Sequence, residues 1–519
     1  MIEDHVPVVE PHNRKWWLLI AVLAVGTMML WWWVFGQVLV EAPPPDPARS
    51  DPAIDTVWVL VSAFLIFFMQ AGFAFLETGM VRKKNTANIL TKNYLDFGVS
   101  TIAFFVLGFG LMYGDSLLAG QFSGQVFSWL GIGGIDLQGM LLNSRGEPMI
   151  PMAAFWLFQL VFAGTAATIV SGAMAERTQI VGYVIYSFAI AGVIYPLFGH
   201  WAWNSQGWLH VLGFHDFAGS TVVHSLGGWM ALVGTWMIGD RWTTEAPRET
   251  TIGDHAIRLQ PVPERRFGKD RRPIPIEGQS LPFVVLGVFI LWLGWFGFNA
   301  GSTLGASGEH VQMIALIAVN TTIAASMGGI AALLTTVLRS YRSRVYGLFG
   351  PFQGRVLRLD KGAMQQRELD IVAMLNGTVG GLVAITASCA YVHPYAAFVI
   401  GGMGGVLVVV FTRLLEMLRI DDAVGAIPAH LVCGVWGTLA LGLFASENGV
   451  TGLIMGNPNQ LLAQLIGVLI CAGWTVSTSF VLFYALNRLR LLRVSKHAEL
   501  HGLGFDIQHI HVEKQSIVY

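Results

Sequence analysis

Charge is what this 519-residue chain has least of: only 12% of its residues are Asp, Glu, Lys or Arg, against about 25% in soluble domains. That scarcity excludes an ordinary soluble fold with a solvated surface. Cysteine is scarce as well. Cys389, Cys433 and Cys471 all lie in apolar segments with no ligand spacing, which excludes a disulfide framework and a cysteine-built zinc or other metal site. Net charge is −1, so no excess of one sign points to nucleic acid. In their place the chain has 54% hydrophobic residues and 60 glycines. This is the composition of a polytopic membrane protein whose helices approach closely through small residues.

Residues 1–15 are polar and end in Arg14-Lys15, followed by an apolar run from Trp16 to Val40 and a stop at Ala42-Pro-Pro-Pro-Asp46. Val40-Glu-Ala42 resembles a signal cleavage site. The proline after it and the length of the run favour a retained helix. Eleven further runs are long enough to cross a bilayer at about 20 residues each: 57–79, 97–117, 153–174, 180–200, 219–238, 283–303, 312–338, 370–391, 395–416, 427–446 and 461–487. The expected organisation is an N-terminal tail and extra helix over 1–42, a channel domain over 43–490 and a C-terminal tail over 491–519.

With the N-terminus cytoplasmic, all but Arg49 and Arg145 of the 31 Lys and Arg fall in cytoplasmic segments. That asymmetry sets the orientation and places the C-terminus in the cytoplasm, under an inner or plasma membrane. The external connections 200–218, 301–311 and 446–460 carry no Lys or Arg, which leaves a vestibule open to a cationic solute. His200, His210 and His215 lie there and read as ordinary vestibule residues. The cytoplasmic loops 240–281 and 339–369 are long and basic. They read as solvated faces attracted to anionic lipid headgroups rather than as nucleic-acid patches.

Two stretches break the apolar pattern in the same way. Asp216-Phe-Ala-Gly-Ser-Thr-Val-Val-His224-Ser-Leu-Gly-Gly228 and Asp422-Ala-Val-Gly-Ala-Ile-Pro-Ala-His430-Leu-Val-Cys-Gly434 share the pattern D-x-x-G-x-x-x-x-H-x-x-x-G. An ionisable side chain at a helix centre costs about 2.5 to 3.5 kcal/mol on insertion scales. One such histidine is ordinarily a satisfied interhelical contact, but a duplicated pair points to function. Setting the N-terminal helix aside, the histidines fall on the fifth and tenth spans, and five spans per repeat force the halves to be inverted. Inverted repeats build their site where they meet, near the midplane. Gly72-Phe-Ala-Phe75 and Trp295-Phe-Gly-Phe298, each leading into a glycine, are a weaker echo of the duplication.

Together with Glu77-Thr-Gly79-Met-Val-Arg-Lys-Lys-Asn85, Phe158-Gln-Leu-Val-Phe162, Ala175-Glu-Arg177, Trp295-Phe-Gly-Phe298-Asn-Ala-Gly-Ser302 and Asp421-Asp422, these motifs resemble the ammonium transporter (Amt/Mep/Rh) family over residues 57–490. The resemblance implies an all-α membrane fold of eleven helices with an inverted 5+5 repeat, here preceded by the extra N-terminal helix. It implies a homotrimer with one pore per subunit, ammonium and ammonia as the solute, no enzymatic chemistry and no cofactor. By position, Trp203, Phe162 and Ser302 match the external ammonium site, Phe162 and Phe298 the stacked pair that closes the pore, and His224 and His430 the pore-lining histidines. Trp295 matches a second pore tryptophan, and Asp216 the aspartate that holds the site together. A trimeric nitrogen-signalling PII protein plugs the cytoplasmic face of family members, so such a protein is an implied partner.

The chemistry of these residue types agrees. Potassium and ammonium are similar in size, so selection needs what only ammonium has, N–H donors and a removable proton. An aromatic cage offers about 2 kcal/mol of cation–π attraction when desolvated, and a serine oxygen accepts one hydrogen bond. A narrow apolar lumen penalises an unpaired cation far more. Ammonium escapes by losing its proton. Two neutral histidines sharing a hydrogen bond can then pass a proton.

Each signal also has a plain reading: Asp216 is expected to cap the fifth span, Ser302 to bond a helix carbonyl, and Glu77 to satisfy backbone groups. The chain departs from the family pattern at Gly425, Ile427 and Leu431, and Leu431 is expected to narrow the pore beside His430. A receptor of the same fold that binds ammonium and hardly conducts is the nearest rival. An Rh-type gas channel is disfavoured by Trp203, and a haem held by the two histidines gains nothing from the D-x-x-G context.

Overall fold

The computed structural model describes residues 51–503 apart from 123–124, 134–136, 143–147, 245–248, 253–254, 259–262, 269–272, 309 and 350–369. The expected N-terminal helix, much of the 339–369 loop and the end of the tail lie outside the described residues. In chain order the apolar helices are α1 Pro52–Met80, α2 Lys83–Tyr113, α3 Met152–Ala173, α4 Ile180–Trp203, α5 Ser220–Ile238, α6 Leu281–Thr303 and α7 His310–Leu338. After the shorter α8, Ile371–Thr386, come α9 Pro394–Met417, α10 Ile427–Phe444 and α11 Pro458–Arg488. Ten of these are long and apolar enough to cross a membrane. A short polar helix, α12 Lys496–His501, follows.

Helix starts are written in local sequence. Asp51 accepts from the backbone N–H groups of Ala53 and Ile54 with Pro52 in the first turn of α1, Ser280 caps α6 through Phe283 N–H, and Asp370 caps α8 through Ala373 N–H. Each satisfies orphan donors of a first turn.

Two expected spans are shifted. α2 begins well before residue 97 because Lys92, Asn93 and Asp96, polar enough to look excluded, are buried inside the protein. It ends at Tyr113, where the chain turns into a hairpin pairing 115–122 with 125–132. α8 stops at Thr386 because its end is tied to the loop before α5: Phe217 and Ala218 N–H donate to the carbonyls of Ala387 and Thr386 at 3.1 and 3.2 Å. The membrane fold is all-α as expected, and its connections hold short ladders, 140–142 with 148–151, 242–244 with 263–265 and 249–252 with 255–258. Loop backbone that is not helical satisfies its own donors this way.

The glycines act as the composition implied. α1 lies along α6 with Gly72 against Leu291, Gly294 against Met69 and Gly297 against Ser62. A methyl group at Gly287 would stand 2.5 Å from the Leu76 nitrogen, so only glycine permits this approach.

At the end where α3 leads into α4 and α5 into the 240–281 loop, charge is compensated inside the protein. Arg241, 3% exposed, reaches Glu176 at 2.6 Å and Asp421 at 2.9 Å; Arg82 adds to Glu176 at 2.9 Å and Arg266 to Asp421 at 2.6 Å. The expectation of a solvated basic face therefore fails for Arg241 and Arg266, which are spent on buried carboxylates. Burial opposes ionisation of Glu176, yet Arg241 and Arg82 together hold it down at about 2. Asp421 is likewise held well below the usual carboxylate range, by Arg241 first.

Because both carboxylates titrate lower in the fold than in the unfolded chain, their stabilisation is full above about pH 4.5 and is lost as pH falls toward 2. Thermal unfolding in detergent, followed by tryptophan fluorescence, is expected to hold its midpoint from pH 8 to 5 and to drop below pH 4. Arg241→Met, which leaves Glu176 to Arg82 alone and Asp421 to Arg266 alone, is expected to destabilise by about 3 kcal/mol at pH 7; a loss below about 1 kcal/mol would contradict the network.

Candidate pore

The duplicated motif is one local device used twice. In the first copy Asp216 turns both carboxylate oxygens onto the start of α5: Oδ1 accepts from Gly219 and Ser220 N–H at 3.0 and 2.8 Å, Oδ2 from Thr221 and Val222 N–H at 2.8 Å each. Asp422 does the same at the start of α10, accepting from Gly425 N–H at 3.0 Å and Ile427 N–H at 2.6 Å. The glycine of each motif takes a positive φ, 108° at Gly219 and 78° at Gly425, which a side chain would strain. A wide π-type turn then follows in each helix, Ser220–Ser225 and Ile427–Val432, a form that concentrates at functional sites. Each histidine sits in that turn.

The two histidines meet. His224 Nδ1 lies 3.2 Å from His430 Nδ1, with ring centres 5.2 Å apart and 23° between planes; their exposures are 0% and 4%. One shared hydrogen bond means that one ring carries its proton on Nδ1 and the other on Nε2. The pair therefore offers one Nε2 acceptor and one Nε2–H donor, and exchanging tautomers reverses them. A metal between the two Nδ1 atoms would need about 4 Å, two bonds of about 2 Å, which counts against the haem reading.

Trp295 stacks on His224 at 5.1 Å and 17°, and its Nε1–H donates to Thr386 Oγ1 at 2.9 Å. Phe298 lies 5.3 Å from His224 and 4.2 Å from Phe162 at 30°. Phe162 and Phe298 are both essentially buried, so the contact between them is closed.

On the far side of that contact is a cavity of about 270 Å³ whose walls include Phe162, Trp203, Ser302 and Asp216. Trp203 meets Phe162 edge-on at 5.8 Å and is oriented by its Nε1–H, which donates to the Asp216 carbonyl at 2.6 Å. Ser302 Oγ–H is committed to the Phe298 carbonyl at 2.8 Å, as its plain reading expected. The oxygen is therefore left as an acceptor toward the cavity. Burial pushes Asp216 up to about 6, while its four backbone N–H donors favour the carboxylate. His210 and His215 line the same wall, and burial lowers both, so neither brings a cation.

On the other side of the histidines a space of about 20 Å³, room for about one water, is lined by His430, Phe73, Glu77 and Thr168. Asn376, Val424 and Gly425 connect its wall to a cavity of about 430 Å³ that reaches Arg266 and Asp422. The candidate residues thus fall in series: cavity, closed phenylalanine pair, histidine pair, small space, second cavity.

Residues 57–262, 255–349 and 361–512 match the Ammonium Transporter Family. The chain belongs to this family. It is 39% identical over 473 residues to "Ammonium transporter Amt2" of Archaeoglobus fulgidus, covering 88% of this chain and 86% of that one. It is also 39% identical over 464 residues to "Putative ammonium transporter sll1017" of Synechocystis, covering 89% of each. Among solved structures it resembles a "Sensor Amt Protein" (33% identity, TM-score 0.69, 87% of this chain and 97% of that one). It shares its fold with Candida albicans Mep2 (24% identity, TM-score 0.68, 87% and 88% covered).

Within this ammonium transporter fold three expectations change. His200 is no vestibule residue: it is buried in α4, Nδ1 at 2.8 Å from the Met112 carbonyl and Nε2 at 2.8 Å from Ser128 Oγ. Leu431 does not narrow the pore, because its backbone lies against Gly228 of α5 and it is absent from the wall of the space beside His430. Glu77 takes a side-chain donor, Asn93 Nδ2 at 3.0 Å, rather than satisfying backbone groups.

Other pore residues escaped the sequence reading. Phe158 and Gln159 line the upper cavity; Phe158 stands one helical turn from Phe162, and that spacing was available as a signal. Tyr391, five residues beyond the end of α8, also lines that cavity, and nothing local marks it. If Ser302 is the acceptor, Ser302→Ala removes a hydrogen bond to a charged donor, about 1.5 to 3 kcal/mol. Ammonium affinity is then expected to weaken about 10- to 100-fold, read by isothermal titration or by the half-saturation of uptake. An unchanged affinity would remove Ser302 from the site.

Proposed function

We propose that this chain carries ammonium across the membrane by binding NH4+ in the cavity at Trp203, Phe162 and Ser302, removing its proton beside Phe162 and Phe298, and passing NH3 along His224 and His430. The observation that carries this reading is the hydrogen-bonded histidine pair, supplied by equivalent helices and set directly against a closed aromatic contact. An open polar channel would serve any small cation. A closed apolar one serves a solute that can shed its charge.

The roles divide by chemistry. Aromatic faces attract the cation, and Ser302 reads an N–H that potassium lacks. Desolvation at the phenylalanine pair favours the neutral amine. The histidines then give ammonia a donor and an acceptor in turn, and a change of tautomer moves one proton along. Trp295 fixes the His224 ring rather than contacting solute. Relatives named as ammonium transporters support the same solute. The assembly proposed with it is a homotrimer in an inner or plasma membrane, with the Arg241 end and the C-terminus in the cytoplasm and a PII-type protein as a candidate partner there.

The likeness to a solved sensor favours one second reading, a receptor that binds ammonium with little flux. Proteoliposomes separate the two. An ammonium pulse is expected to alkalinise the lumen, as entering NH3 takes up protons, and to do so with saturation. Saturable binding with neither alkalinisation nor current would overturn transport in favour of the receptor. The current recorded alongside reports whether the proton follows.

A further inference from the structure

Beside the small space below the histidines is a cluster of buried ionisable groups that the pore chemistry leaves unused. Glu77, Lys92 and Asp96 are each at most 1% exposed, from α1 and α2, in a region where an ionisable side chain is a functional candidate by default. Thr168 of α3 joins the two: with Glu77 it lines the space that His430 also faces, and it hydrogen-bonds Asp96.

A proton on Asp96 fits the contacts around Thr168. The threonine hydroxyl has one proton and stands against three oxygens: Asp96 Oδ2, Gln70 Oε1 at 3.1 Å and the Gly164 carbonyl at 3.1 Å. If Asp96 carries a proton, it donates to Thr168 Oγ1, and Thr168 donates onward to Gln70 or Gly164. The remaining groups facing Asp96 are uncharged: Tyr183, Tyr186 and Ser187 of α4. Lys92 stands over the Tyr183 ring at 5.7 Å and senses Arg177 at the Arg241 end.

A second observation is independent of the carboxylates. Lys92 Nζ, Asp96 Oδ1, Ser171 Oγ, Tyr183 OH, Tyr186 OH and Ser187 Oγ are all buried and close no hydrogen bond, although the Tyr183 and Ser187 hydroxyls stand near Asp96. They run along one seam between α2, α3 and α4. Buried polar groups are satisfied by protein or by internal water, and so many together mark a hydrated seam.

We propose that Asp96 is a proton-holding site alongside the pore, exchanging through Thr168 with the space below His430 and through the α2–α4 seam with the Arg241 end. The step is a proton transfer alone. An N–H bond of ammonium breaks, its proton reaches the space by way of the histidines, and an O–H bond forms on the Asp96 carboxylate after the resident proton has left along the seam. The ammonia continues down the pore. The site gives the proton a route of its own, and it rests on the transport reading only for the source of that proton.

Infrared spectroscopy of the reconstituted wild type, Asp96→Asn and Thr168→Val tests it, with current and luminal alkalinisation recorded in parallel. The wild type is expected to show a protonated-carboxyl band that shifts in D2O and responds to an ammonium pulse. Asp96→Asn is expected to lack it and to move several-fold less charge per ammonia. Thr168→Val keeps the band but loses its response to the pulse, and it decides the matter if Asp96→Asn fails to assemble. A wild type with no such band, a band surviving Asp96→Asn, or an unchanged charge-to-ammonia ratio in both variants would overturn the proposal. Absent current and alkalinisation with the band intact would instead sink the transport reading.

Discussion

A cation has no partner where Phe162 and Phe298 touch. Their rings stand 4.2 Å apart and buried, and the cost of stripping water from an ion there exceeds what an aromatic cage and one serine oxygen return. Everything placed around the contact follows from that. Before it lies a cavity with Trp203, Ser302 and Asp216 on its wall and, among the described residues, no Lys or Arg. Hydrogen bonding resumes after it, at two rings that share a proton rather than carry a charge.

Holding two histidines so close in an apolar interior requires rigid backbone, and the motif supplies it. An aspartate gathers the free N–H groups at the head of α5 and of α10, a glycine allows the turn, and a wide helical turn points the ring inward. Compensation of charge is equally local at the Arg241 end, where two carboxylates are met by three arginines, Arg82, Arg241 and Arg266. The Glu77, Lys92 and Asp96 cluster differs. Its polar atoms exceed the partners that the protein gives them, which is why it reads as a place for protons rather than as structural support.

Much of this was legible in the sequence because membrane physics leaves few options. Apolar runs and Lys/Arg asymmetry gave the spans. The repeated D-x-x-G-x-x-x-x-H gave the histidine pair, since a side chain so costly in lipid is not kept twice at one spacing without a use. What was not legible depended on burial between elements distant in sequence. α2 starts earlier than its apolar run suggests, because Lys92, Asn93 and Asp96 look like loop residues in sequence yet are enclosed by α3 and α4. Arg241 looked solvated until Glu176 and Asp421 were found beside it. His200 looked like a loop histidine for want of Met112 and Ser128, and Leu431 like a pore residue for want of Gly228.

The most direct measurement of the central claim, that charge is shed at the closed contact and the histidine pair handles the proton, is ion selectivity in proteoliposomes carrying His224→Ala with His430→Ala. Wild type and double variant are compared for current under ammonium and under potassium gradients. The account predicts that the wild type responds to ammonium alone, while the double variant, its lumen opened to water, loses that preference and passes potassium too. A double variant that still discriminates as the wild type does would contradict it, since selection would then not depend on the histidine pair.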